Sequence, residues 1–175
     1  MGRTSLNLVS LMNYAWDKRT SDSPEYLQDQ VRNLVSHAYA SIQKLAPNEE
    51  RVFIIFQHLF VFLIKADGEH LQGEYDAYRK FCDWAGYKAL SVADVNALYN
   101  RLSTDELVKD VNELKSYRDR IDGNEYQAMI LGFCFLSLLG DKSFDENEYY
   151  ILRCFFEEDG YDYCPSTWEQ FKREW

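Results

Sequence analysis

Apolar residues recur along this chain at intervals of three and four, the spacing of one helix face, and no stretch alternates with the period of two that a half-buried strand shows. Only Pro24, Pro47 and Pro165 interrupt the pattern. The expectation is an all-α protein, a single-domain bundle of seven to eight helices. The first 20 residues have a loose register, with Leu6, Val9, Leu11 and Tyr14 suggesting a short helix. Ser23-Pro24 then reads as a cap and a first-turn proline, opening a helix with Leu27, Val31, Leu34, Val35, Ala38, Ile42 and Leu45 on one stripe. Pro47-Asn48 ends it. The next segment, about Glu50 to Ala66, is apolar nearly all round and is expected at the centre.

Beyond Asp67 to Gly73, which reads as a loop, Glu74 to Ala85 is amphipathic through Tyr75, Tyr78, Phe81 and Cys82, and Gly86 supplies a positive-φ stop. Ser91 with Asp94 opens another helix through Leu98 and Leu102. Ser103 or Thr104 opens the one after it, through Leu107, Val111, Leu114, Tyr117 and Ile121. Asp122-Gly123-Asn124 reads as a turn before a second central helix, about Glu125 to Leu139. Asp145 then opens a helix carrying Tyr149, Ile151, Leu152, Phe155 and Phe156, with Gly160 as its stop, and Ser166 with Glu169 reads as a capping box for a last helix ending at Trp175.

The pattern repeats. Shifted by 74 residues, the stretch 67–87 falls on 141–161 with seven identities in 21 positions. The pairs are Asp67/Asp141, Glu74/Glu148, Tyr75/Tyr149, Arg79/Arg153, Phe81/Phe155, Gly86/Gly160 and Tyr87/Tyr161. In both copies a strongly apolar segment precedes the Asp, so the unit is apolar segment, acidic loop, amphipathic segment and glycine stop. Two copies suggest a duplicated helical hairpin with pseudo-twofold symmetry, a duplicated core of about residues 50–162, and helical additions at both ends.

The loops carry the candidate chemistry. One reads Asp67-Gly68-Glu69-His70-Leu71-Gln72-Gly73-Glu74 and the other Asp141-Lys142-Ser143-Phe144-Asp145-Glu146-Asn147-Glu148. A short loop that folds two carboxylates together can supply the oxygen ligands that Ca²⁺ or Mg²⁺ requires. Asp67, Glu69, Glu74, Asp141, Asp145 and Glu148 are therefore candidate metal ligands. A second reading stays open, in which the carboxylates are helix caps: Asp145-x-x-Glu148 is a capping-box sequence, and Asp67 and Asp141 can accept N–H groups across their loops. Counted from Asp141, the second loop is not an EF-hand, since Glu146 stands where that motif needs glycine and Leu152 where it needs glutamate. Arg79 and Arg153 lie five residues after the glutamates, on another helical face. Each is expected to tie its helix to a carboxylate elsewhere in the fold, with ligand binding as the alternative.

A net charge of −10 argues against a nucleic-acid partner, because binding phosphate backbone takes clustered Lys and Arg. It suits a cation, a basic protein partner or plain solubility. Cys82, Cys134, Cys154 and Cys164 have no metal-binding spacing and fit a reduced, cytoplasmic setting. The chain opens with no secretory signal pattern, and its most apolar run, Val52 to Ala66, is too short and too interrupted to span a bilayer. No nucleophile is paired with a base at a recognisable spacing, and there is no phosphate-binding glycine loop, zinc motif or Glu-x-x-His pair. His37 and His58 read as core or boundary residues, and His70 could join Asp67 on a transition metal. The expectation is a non-enzymatic protein. A metal-free adaptor is the alternative to a cation module, with Trp16, Tyr161, Tyr163, Trp168 and Trp175 either an exposed aromatic patch or packing for the terminal helices.

In the runs Phe62-Leu63-Ile64-Lys65-Ala66-Asp67-Gly68-Glu69 through Glu74, and Phe135-Leu136-Ser137-Leu138-Leu139-Gly140-Asp141 through Glu148, the chain resembles the TerB-like family, named for a tellurite-resistance protein. The first copy keeps the family's Ala-Asp-Gly core, and the second has Gly-Asp-Lys in its place. The resemblance covers about residues 50–162. It implies an all-α duplicated fold, a divalent-cation site on Asp67, Glu69, Glu74, Asp141 and Glu148, and a role without catalysis in stress-response assemblies or at the periphery of a membrane complex. The tellurite label itself is not carried over.

Overall fold

Polar caps decide where the helices of this protein begin. In a computed structural model that describes residues 5–65, 72–139, 144–156 and 161–175, nine α-helices follow one another. They are α1 Leu8–Ser21, α2 Pro24–Leu45, α3 Glu49–Lys65, α4 Gln72–Ala85, α5 Val92–Arg101, α6 Thr104–Lys115, α7 Gly123–Leu138, α8 Glu146–Arg153 and α9 Trp168–Glu174. A single 3₁₀ turn, Arg118–Arg120, lies between α6 and α7. Ser23, Ser91, Ser103 and Asp122 each turn a side-chain oxygen onto a backbone N–H of the first helical turn, satisfying a donor that has no partner within the helix. Gly86 ends α4 at φ 83°, a backbone conformation that side chains disfavour. The described residues contain no strand, so the protein is all-α as its periodicity predicts.

Four boundaries in particular differ from the sequence reading. Asp122-Gly123-Asn124 is not a free turn: Asp122 caps α7, which starts at Gly123. The stripe read on to Tyr117 and Ile121 breaks at Lys115, and the chain tightens into the 3₁₀ turn. Thr167 rather than Ser166 caps α9, accepting from Gln170 N at 3.1 Å. The helix opened by Asp145 gives way to turns after Arg153, and Gly160 lies outside the described residues.

The apolar faces of the helices meet in one contiguous core. Helix α7 runs through it with residues buried on all sides and packs on α1, α2, α3 and α8. Rings link the layers: Tyr39 of α2 sits edge-on to Phe56 of α3 at 5.2 Å, Phe60 stacks on Phe81 of α4 at 4.8 Å and meets Phe133 of α7 at 5.8 Å, and Phe133 stacks on Phe155 at 6.1 Å. Starts 74 residues apart recur in the helices themselves, Glu49 with Gly123 and Gln72 with Glu146. Helix α3 packs on α4 and α7 on α8, while α2 covers α3, α4 and α7 more broadly than α6 covers its neighbours.

The broadest packing is between α2 and α7, and it depends on Gly132. A Cβ at this position would stand 2.8 Å from Val35 Cγ1 and 3.1 Å from Leu34 Cβ. The missing side chain lets the two helices approach, and Val35, with no exposed surface, has little room to yield. Near the termini, Leu8 N donates to Tyr163 O at 3.0 Å and Tyr163 N to Leu6 O at 2.7 Å, joining residues over 150 positions apart. Beneath this junction Arg118 and Asp162 form a buried ion pair, with Nη2 to Oδ1 at 2.9 Å, and Leu6 N donates to the same Asp162 oxygen at 3.0 Å.

Two stability changes follow. Gly132→Ala gains about 1 kcal/mol of helix propensity but loses about 1–3 kcal/mol to overpacking. A lower urea midpoint is expected, and adding Val35→Ala is expected to cost less in this background than in the parent protein, because the two sites touch. Asp162→Ala leaves a buried guanidinium without its carboxylate and is expected to cost about 3–5 kcal/mol in the same measurement.

Candidate functional site

Of the six candidate ligands, Asp67, Glu69 and Asp141 lie outside the described residues, as does His70. Glu74 is the third residue of α4 and Glu148 the third residue of α8, and each is buried with 0% of its surface exposed. Asp145 and Glu148 are brought together as a capping box: Asp145 Oδ1 accepts from Glu148 N at 2.9 Å, and a Glu148 carboxylate oxygen faces Asp145 N at 3.4 Å. This gives the second loop's described carboxylates a structural task. Among the described residues there is no group of three or more His, Cys, Asp or Glu side chains placed to hold a metal ion.

The repeated arginines have different surroundings. Arg79 is mostly exposed and stands 3.9 Å from Asp76, on its own helix rather than elsewhere in the fold. Arg153 is half-buried. The aromatic candidates also divide. Trp168 and Trp175 pack around Phe144 and Phe171, and Trp16 meets Trp175 edge-on at 5.7 Å. Tyr161 and Tyr163 keep large exposed areas, and no helix among the described residues is long and apolar enough to cross a membrane.

A site that sequence reasoning did not anticipate lies between α3, α5 and α6. Asp110 of α6, with its side chain 3% exposed, receives the Nη2 group of Arg51 at 2.9 Å and faces Nδ1 of His58 at 2.7 Å. The Arg51 guanidinium also donates to Glu113, one turn along α6, through Nε at 3.2 Å and Nη2 at 3.0 Å. Arg51, His58 and Asp110 line one wall of an open cleft of about 290 Å³, completed by Leu98, Arg101, Leu102, Glu106 and Lys109. The sequence carries half of the signal: Arg51 and His58 are seven residues apart on one face of α3, and Asp110 and Glu113 are three apart on α6. Their meeting is a tertiary event. His37, the other described histidine, is exposed on α2.

None of the four cysteines is poised as a nucleophile. All are free thiols, and burial pushes Cys82 and Cys164 up to about 12. Burial raises Cys134 and Cys154 as well, with the negative charge of Glu148 adding to the effect at Cys134. A raised thiol holds its proton at pH 8, so little reactive thiolate is present. Native protein is expected to react with a disulfide-exchange reagent at pH 8 far more slowly than free cysteine does, and to release four equivalents on unfolding. Rapid reaction of any one thiol in the folded protein would contradict this picture.

No protein-family model, curated protein or solved structure matches the chain, and the chemistry of these sites is read from its own residues.

Proposed function

We propose that the chain is a non-enzymatic, TerB-like helical module whose two acidic loops bind a divalent cation, Ca²⁺ or Mg²⁺. The observation that carries this reading is the burial of Glu74 and Glu148 at equivalent positions, 74 residues apart, each in the first turn of the helix after an acidic loop. Burying a carboxylate is costly unless its charge is neutralised or its oxygens are well partnered. A hard cation held by loop carboxylates meets both needs. The matched helix starts favour a duplicated hairpin, hence two like sites, with Asp67, Glu69 and Glu74 in one and Asp141, Asp145 and Glu148 in the other. By its resemblance, such a module serves a stress-response or membrane-associated assembly, responding to the cation in its contacts with a protein partner.

The capping box on α8 favours a second reading for the second loop, in which Asp145 and Glu148 are structural and the protein is a metal-free adaptor. The two readings separate in a thermal melt of metal-stripped protein. At about 100 times its dissociation constant a cation stabilises the native state by about 2.7 kcal/mol, a rise of several degrees for a chain of this size. The cation module requires such a rise with Ca²⁺ or Mg²⁺, lost in Asp67→Asn and in Glu74→Gln. An adaptor melts at one temperature with and without the ions.

A further inference from the structure

The Arg51, Asp110 and His58 array does more than join α3 to α6. A tie between two helices needs one ion pair, and at this junction a single buried carboxylate serves both a guanidinium and an imidazole on the wall of an open cleft. Asp110 in its ionised form can only accept, so the Nδ1 atom of His58 carries the proton between them, and Nε2 is the ring nitrogen left for a ligand. Arg51 and Asp110 thereby set both the orientation and the tautomer of the ring, the role that an outer partner plays for a working histidine.

The charges around the cleft indicate what that ligand is. From α3 come Arg51 and His58, from α5 Arg101, and from α6 Glu106, Lys109, Asp110 and, beside them, Glu113. Arg51 is taken up by Asp110 and Glu113. Arg101 and Lys109 are exposed and form no ion pair within the described residues, leaving two cations against Glu106 at the cleft mouth. In a chain of net charge −10, two cations at one cleft that lack an ion-pair partner among the described residues are suited to an anionic group. Leu98 and Leu102 supply an apolar wall.

We propose that this cleft binds a small phosphate-bearing molecule. Arg101 and Lys109 hold phosphate oxygens, Nε2 of His58 accepts from a protonated phosphate oxygen or, itself protonated, donates to an ionised one, and the leucines cover the organic part. A volume of about 290 Å³ suits a phosphomonoester of modest size rather than a nucleic acid or a protein segment. The site is separate from the acidic loops in chemistry and in the residues it uses.

The experiment is a titration of metal-stripped, full-length protein with inorganic phosphate and then phenyl phosphate, following the imidazole resonances by NMR and assigning His58 by its loss in His58→Gln. The expected result is a saturable shift of the His58 signals, tighter for phenyl phosphate and not reproduced by sodium chloride at equal ionic strength. Arg101→Gln combined with Lys109→Gln, both on exposed side chains, is expected to weaken binding about tenfold or more without lowering the melting temperature. The absence of a saturable shift, an equal shift with chloride, or unchanged affinity in the double variant would each overturn the proposal.

Discussion

The close approach of α2 and α7 at Gly132 is the constraint on which the rest of the structure depends. Helix α7 is apolar on all sides and can be stable only when covered on all sides, and α2 is its longest cover. With no side chain at position 132, Val35 and Leu34 settle against the α7 backbone, and this depth of contact brings the neighbouring layers into register. Helix α4 then packs on α2, and α3 fits between them with Phe56 and Phe60 against Tyr39, Phe81 and Phe133. A larger residue at position 132 would move two helices apart and loosen every ring contact that bridges them.

Charge is handled in four ways in this acidic chain. At the surface most carboxylates are solvated or cap helices, at little cost. Beneath the terminal junction Asp162 is matched by Arg118 and by a backbone N–H, a buried pair whose value lies in joining distant parts of the chain. Asp110 is buried beside an open cleft and matched by two side chains of α3, which holds His58 in one orientation. Glu74 and Glu148 form the fourth group, carboxylates with no exposed surface in the first turns of α4 and α8.

Repetition of sequence also separates into distinct physical tasks. Phe81 and Phe155 recur because both fill the core, and Gly86 is held by its positive φ. Glu74 and Glu148 share burial and position. Arg79 and Arg153 are identical in type yet differ in exposure, and Arg79 pairs within its own helix, so identity at these two positions does not carry a common contact. A repeated residue therefore marks a shared task only where its packing environment is repeated as well.

The sequence by itself determined the helical class, most helix starts and the central place of α3 and α7, because periodicity, caps and prolines act locally and can be read within a few residues. It also offered Asp145 and Glu148 as a capping pair beside their reading as metal ligands, since a capping box needs only three residues of spacing. Its local signals failed where neighbours intervened: α6 stops at Lys115 despite a stripe that continues to Ile121, and Arg79 turns to Asp76 rather than to a distant carboxylate. Only the tertiary structure placed Arg51 and His58 against Asp110 across more than 50 residues, joined Leu6 and Leu8 to Tyr163, and gave Gly132 its purpose. The reason is physical: a helix face announces that it will be covered, but which face covers it depends on how all the helices share one core.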